Sequence, residues 1–262
     1  MNIIKDSKKY FLTPSGGTSK NDTYKSDLLY NIPGLVKDES YILYNTISIS
    51  HAEIPYSFYI INVYNNLLSL STGDIYIDRG NYNASSLLKY LNSKLPANLT
   101  LTFNSTNGKF TFSYNQPFSI NPSTTLFEIL GIDKNKKYSS VNNIIECPYP
   151  ANLLGSKNLY LKSNVMTPNY NTETKDYVTL CCIPISVEPY SIILYNNFTA
   201  TSHIIKDKSL DNLEIKIYDD DQNLVNFNNI DWSITIEITS YVARDFNNEK
   251  SIEEYLNKNI VA

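Results

Sequence analysis

The residues suited to chemistry are few, and their spacing limits what they can do. Two histidines occur, His51 and His203. His51 stands in Ser50-His51-Ala52-Glu53, where a strand would place it and Glu53 on one face. That pair offers two metal ligands, but a site needs a third, and no nearby residue supplies it. His203 stands alone in a turn-like stretch, so both histidines read as structural or surface residues. Asp219-Asp220-Asp221-Gln222-Asn223 has the acidity of a calcium loop without its glycine or closing glutamate. Between two alternating stretches it reads as a hairpin turn, because Asp and Asn bond their own backbone. A glycoside hydrolase would need two facing carboxylates, drawn from Glu39, Glu53, Glu128, Glu188, Glu214 or Glu237 with an Asp partner. Which of them pair is decided by the fold and cannot be read from their spacing. No G-x-S-x-G elbow, phosphate-binding loop or dinucleotide fingerprint occurs. Arg79 and Arg244 are the only arginines, leaving little for bidentate phosphate clamps. The expectation is a protein that is not an enzyme, with no catalytic, cofactor-binding or metal residues.

Composition agrees. The net charge of −4 argues against a protein that coats nucleic acid, which needs a basic surplus. Lys5, Lys8 and Lys9, and the run Lys134-Asn135-Lys136-Lys137, read as a solvated tail and loop. Cys147, Cys181 and Cys182 make an odd count, two of them adjacent and none in zinc spacing, so they read as small apolar filling in a reducing compartment. Neither a signal-peptide core at the start nor an apolar run of membrane-spanning length is found. The 22 tyrosines suit half-buried strands and subunit contacts.

The elements that would position these residues are mostly strands. Residues 1–38 read as an arm, broken by Pro14, Gly16, Gly17 and Pro33-Gly34. A long strand from Tyr41 to Pro55 changes alternation between Thr46 and Ile47, which implies a bulge or a bend across a curved sheet. Phe58, Ile60 and Val63 suggest the next strand, and Leu68 to Leu70 another. The stretch 74–132 is different: a strand at Ile75-Tyr76-Ile77, then a helix capped by Asn83 and faced by Leu87, Leu88, Leu91 and Leu95 up to Pro96. A hairpin follows, Leu99 to Phe103 and Phe110 to Ser113 around Asn107-Gly108, then a short helix burying Leu126, Phe127 and Leu130 and closed by Gly131. Tyr138 to Pro150 reads as irregular, and Leu159 to Leu161 restarts the strands. The apolar run Tyr177 to Ile185 implies a strand buried on both faces, with an edge or corner at Pro184 and Pro189. Ser191 to Leu194 reads as a strand, Met166 to Lys175 as a connection. Leu213, Ile215 and Ile217, then Trp232, Ile234, Ile236 and Ile238, alternate with polar residues as in a sheet packed on one face, with Trp232 in the core. The tail 243–262 carries a short helix at Ser251–Leu256. Roughly eight strands outside the central stretch fit a jelly roll or another β-sandwich equally well.

The order of I-x-I-x-x-GNYN at Ile75–Asn83, the leucine-faced helix, the T-x-T and F-x-F hairpin, and FEILGI at Phe127–Ile132 resembles the penton, or minor capsid, proteins of virophages and related Polinton-like viruses. The ending L-x-I-x-I-x-D at Leu213–Asp219, then W-x-I-x-I-x-I at Trp232–Ile238, is similar to the close of the same jelly rolls, and the pattern runs from about Tyr41 to Tyr241. The resemblance implies a mainly β fold: a single jelly-roll β-sandwich over 39–242 with an inserted small α+β unit at about 74–132, an N-terminal arm at 1–38 and a C-terminal tail at 243–262. It implies a structural subunit of the virion, made in the host cytoplasm, forming homopentamers at the five-fold vertices of an icosahedral capsid. Its partners would be itself and a major capsid protein with a double jelly-roll fold, with no membrane span and no specific nucleic-acid binding. The alternative reading is a carbohydrate-binding jelly roll, lectin-like or from a fibre head, that stacks aromatic rings on sugars.

Overall fold

A computed structural model describes residues 2–20, 24–165, 178–199 and 201–244. The chain opens with β1 (Asn2–Leu12), a 3-10 turn at Pro14–Gly16, β2 (Thr18–Ser19), β3 (Asp27–Val36) and β4 (Ile42–Pro55). β5 (Leu67–Leu70), β6 (Gly73–Tyr76), helix α1 (Ala84–Lys94), β7 (Thr100–Asn104), β8 (Lys109–Ser113), β9 (Ser119–Ile120), helix α2 (Phe127–Leu130), β10 (Tyr138–Ser139) and β11 (Ile144–Glu146) follow. The last third holds β12 (Asn158–Ser163), β13 (Val178–Pro184), β14 (Ile192–Asn196), β15 (His203–Ile204), β16 (Leu210–Tyr218) and β17 (Ser233–Arg244). These elements form two compact units, one of residues 1–57 with 158–262 and one of 58–157.

The first unit is a β-sandwich whose strand order identifies it. One sheet runs β1-β17-β4-β14, with β15 also on β4; the other runs β13-β12-β16-β3-β2. Eight main strands remain once β2 and β15 are set aside as short additions. Taken in chain order, the first pairs with the eighth (β1·β17), the second with the seventh (β3·β16), the third with the sixth (β4·β14) and the fourth with the fifth (β12·β13), all antiparallel. This nesting is one long ribbon rolled into two sheets, which is the jelly roll. Its core alternates by strand: Ile47, Ile49, Ala52 and Ile54 of β4, Ile234, Ile236 and Ile238 of β17, Leu213, Ile215 and Ile217 of β16, and Leu159 and Leu161 of β12 are all buried. Trp232 joins them, its indole Nε1–H donating to the Lys25 carbonyl at 2.8 Å.

Several local expectations change. Residues 1–38 are not an arm: β1 forms an eleven-pair ladder with β17, Asn2 opposite Arg244 through Leu12 opposite Ile234, and β3 pairs with β16. β1 hides its register because its inward positions mix Asp6 and Lys8 with Ile4, Tyr10 and Leu12, Lys8 lying opposite Ile238. Pro33-Gly34 does not end β3. It forms a bulge there, with Gly34 at φ +68° and its N–H donating to Asp211 Oδ1 at 2.7 Å. On β4 the residues skipped by β17 are Leu43 and Ser50, not Thr46 or Ile47; Ser50 Oγ turns back to the Thr235 carbonyl at 3.1 Å. β13 is an edge strand with Cys182 exposed, so it is not buried on both faces, and the edge marked by Pro184 stands. The proposed connection at Met166–Lys175 and helix at Ser251–Leu256 lie outside the described residues.

The second unit, 58–157, takes in the 74–132 stretch and runs beyond it on both sides. Phe58, Ile60 and Val63 make no strand; turns there are fixed by Asn side chains, with the Asn62 N–H donating to Asn65 Oδ1 at 2.7 Å and only Ile61 bridging to Gly80. Two sheets, β10-β9-β5-β6 and β11-β8-β7, join α1 around Leu87, Leu91, Phe110, Phe112, Leu126 and Ile145. Tyr138 to Pro150 thus contributes β10 and β11 where an irregular loop was expected; both are too short for a visible alternation. α1 starts at a capping box: the Ser86 N–H donates to Asn83 Oδ1 at 2.8 Å and the Asn83 N–H to Ser86 Oγ at 3.0 Å. Asn92 then holds β7 with both ends of its amide, Nδ2 to the Leu101 carbonyl at 2.9 Å and Oδ1 from the Leu101 N–H at 2.8 Å.

Gly131 closes α2 at φ +74°, and a Cβ there would stand 2.2 Å from the Tyr149 carbonyl oxygen. Gly131→Ala combines left-handed strain with a backbone clash and should cost about 3 kcal/mol. Gly73 also has a positive φ, +133°, but open space around a Cβ, so Gly73→Ala carries backbone strain without the clash and should cost less. Urea unfolding of both variants checks the order; equal midpoints would contradict it.

Candidate functional site

The structure brings few of the chemistry-capable residues together. His51, on the outer face of β4, points Nδ1 at Asn196 Oδ1 on β14 at 2.8 Å and Nε2 at Glu53 Oε1 at 3.4 Å. Both ring nitrogens face oxygen acceptors, so the imidazolium fits better than the neutral ring. The His51 pKa is raised above its usual 6.5, first by the Asn196 hydrogen bond and then by Glu53. His203, on β15 of the same sheet and opposite Ile47 of β4, has its Nε2 2.9 Å from the Leu180 carbonyl of β13. Among the described residues no group of three His, Cys, Asp or Glu is placed to hold a metal.

The acids separate. Glu53 belongs to the His51 cluster, Glu128 to α2 in the other unit, Glu188 to the loop before β14, Glu237 to β17, and Glu39 to the approach to β4. Glu214 is buried on the outer face of β16, where it meets Lys20 at 2.5 Å and Lys216 at 3.7 Å, and Lys216 also meets Asp27 at 3.5 Å. Beside them Lys162 of β12 lies opposite Lys216, bonded to Gln222 Oε1 with its Nζ 4.9 Å from the Tyr218 ring centre, its pKa lowered by burial. Such a network holds two sheet strands in register and commits its charges to one another. The 219–223 stretch is the expected turn: the Asn223 N–H donates to Asp219 Oδ1 at 2.8 Å, while Asp220 accepts from Asn158 and Tyr160. Burial raises the Asp219 pKa, the reverse of what a cation-binding carboxylate needs. Trp232 fills the core and offers no platform to a sugar. A recess lined by Asp6, Lys8, Val36, Tyr41 and Ile238 encloses about 60 Å³, room for a water or two.

What the jelly roll does present is the outer face of its first sheet, ending in two edge strands. On β14, Ile192 and Leu194 are 58 % and 64 % exposed, and Phe198 just beyond is 91 % exposed. On β1, Phe11 is 68 % exposed and Ile3 is also exposed, with Lys5, Lys8 and Lys9 between them. Sequence inspection missed this surface because residues 1–38 were assigned to an arm. The exposed triplet Ile3, Lys5, Phe11 on odd positions, with Tyr10 and Leu12 on even ones, is the signal that marks an edge strand. The lysines expected in a tail therefore stand on a sheet. Those expected in a loop are in one, with Lys136 bonded to Asp133 at 2.9 Å.

No protein-family model matches the chain, and no curated protein sequence does. Among solved structures, a mavirus penton protein is similar over 92 % of this chain and 100 % of its own, with 11 % identity and a TM-score of 0.45. A likeness at that level leaves function to be read from the chain's own geometry. Among the described residues no helix is long and apolar enough to cross a membrane.

Asn196→Ala should bring the His51 pKa down toward 6.5, followed by the NMR shift of the imidazole protons across pH. Because folding raises this pKa, the cluster's contribution to stability is present below the unfolded value and is lost as pH rises through the folded one. An unchanged His51 titration in the variant would remove Asn196 as the main cause.

Proposed function

We propose that this chain is a structural capsid protein of the penton, or minor capsid, kind, five copies of which close around each five-fold vertex of an icosahedral virion. The observation that carries the reading is the nested strand pairing, β1·β17, β3·β16, β4·β14 and β12·β13, of a complete jelly roll interrupted by one α+β unit between β4 and β12. Jelly rolls serve in capsids and in lectins, so the fold alone does not choose. Two further features favour a capsid. One is the order of the Ile75–Asn83, Phe127–Ile132 and Trp232–Ile238 motifs, which resembles virophage and Polinton-like penton proteins. The other is the exposed apolar side chains on both edges of one sheet, which suit contacts with neighbouring subunits. A lectin would want an exposed aromatic platform; the single tryptophan lies in the core, and the exposed Tyr76, Tyr149, Tyr190 and Phe198 lie in separate stretches of the chain. In this reading the partners are other copies and a double-jelly-roll major capsid protein, the inserted unit is an elaboration on the capsid fold, and the protein resides in the virion after synthesis in the host cytoplasm.

Light scattering across a concentration series, alone and with a co-expressed major capsid protein, tests this. The expected mass is about 150 kDa, five copies of 29.9 kDa, or incorporation into capsid-like particles. A monomer indifferent to the major capsid protein contradicts it.

A further inference from the structure

The two edges of the first sheet are unlike each other in a way that fits one to the other. β1 closes one end of the sheet and β14 the other, and among the described residues no strand lies beyond either. On the outer face, β1 presents Ile3, Lys5, Ser7, Lys9 and Phe11, while Asp6 and Lys8 lie on its other face. Lys5 rests 5.4 Å from the Tyr241 ring centre, and Glu237 stands opposite Lys9, which leaves the edge with a positive surplus. On the same face at the other end, β14 presents Ile192 and Leu194, with Phe198 just beyond and Leu194 directly opposite Glu53. Residues 186–205 contain no Lys or Arg and a single acid, Glu188, which is exposed. One edge is thus apolar and net basic, Lys5 and Lys9 outnumbering Glu237; the other is apolar and net acidic, Glu53 and Glu188 outnumbering the His51 imidazolium paired with Glu53.

We propose that the β14 edge of one copy, through Ile192, Leu194, Phe198, Glu53 and Glu188, packs on the β1 edge of the next copy, through Ile3, Phe11, Lys5 and Lys9. The partner is a second copy of this chain because both halves of the contact are already present on it, at opposite ends of one sheet. Each molecule offers β14 to one neighbour and β1 to another, so the contact is heterologous and a repeated rotation closes it into a ring. The apolar residues supply contact area, and the opposed charges select β14-to-β1 over β1-to-β1 or β14-to-β14, where like charges would meet. An exposed edge strand with large apolar side chains is otherwise an aggregation hazard, and pairing within a closed ring removes it. This inference rests on the capsid reading and names the surface through which its subunits meet.

The test uses full-length protein in whichever assembled state the wild type adopts, alone or with the major capsid protein. Lys5→Glu/Lys9→Glu on one edge, and Glu53→Lys/Glu188→Lys on the other, should each weaken assembly at least tenfold by light scattering, with wild-type circular dichroism and thermal unfolding. The quadruple variant, with both edges inverted, should restore assembly, because complementarity returns with the signs exchanged. Leu194→Glu, at an exposed position that leaves the fold intact, should also dissociate the ring. Wild-type assembly that survives all these changes overturns the edge pairing and leaves the capsid reading standing. Loss with either edge inverted, and no recovery in the quadruple variant, overturns the charge matching. A wild type that never assembles overturns both.

Discussion

The ladder between β4 and β17 is the contact on which the rest of the jelly roll hangs. It joins the third and eighth main strands from Ile42 opposite Val242 to Glu53 opposite Ser233, across bulges at Leu43 and Ser50. Ile47, Ile49, Ala52 and Ile54 face inward from one strand, and Ile234, Ile236 and Ile238 from the other. At about 2–3 kcal/mol for each buried isoleucine, this pair alone contributes on the order of a small domain's net stability before entropy is counted. β1 needs β17 as its template and β14 needs β4, so both exposed edges exist only because this central pair is in register. A slip of one residue would turn the isoleucines outward and bury His51 and Glu53.

Ser26 Oγ and Asp27 Oδ1 are buried without a hydrogen-bond partner, but most polar groups that fall inside are answered locally, and the two units do it differently. The jelly roll uses charge: Glu214, buried on β16, is met by Lys20 and Lys216, and Lys216 is shared with Asp27. Removing one partner would strand a buried charge, which costs more than the pair itself contributes. The inserted unit uses amides and hydroxyls in place of missing strands. Asn92 completes the edge of β7, and Thr124 Oγ1 takes the Ser69 N–H at 3.1 Å while donating to the Ser69 carbonyl at 3.2 Å. Abundant Asn and Thr let short strands end without orphaned backbone groups.

Legibility in the sequence followed the strength of the local pattern. The 213–217 and 232–238 strands, the α1 helix with its Asn83 cap, the Leu101/Phe112 hairpin and the Gly131 stop all carry clean periodicity or a residue with only one good use, and all are present. β1 was hidden because an edge strand held mainly by backbone bonds needs apolar residues only where Tyr10 and Leu12 meet the core. β3 was hidden because Pro33-Gly34 looks the same in a bulge as in a break. β13 looked central because Leu180 and Ile183 are buried, yet Cys182 next to them is exposed. Where His51, His203 and the glutamates stand is likewise set by topology, which puts them on separate strands and loops that spacing along the chain does not reveal. The candidate surface is unreadable from sequence alone because topology makes it: residues 3–11 and 192–198 become the two ends of one sheet only when the two strands between them, β17 and β4, are placed.

The central claim is that an apolar, oppositely charged pair of sheet edges makes this jelly roll a ring-forming capsid subunit. Single-particle imaging of the purified protein tests it most directly. Averaged end-on views with five-fold rotational symmetry are the expected result. Averages showing solitary subunits, or a two-fold dimer in which like edges meet, would contradict it.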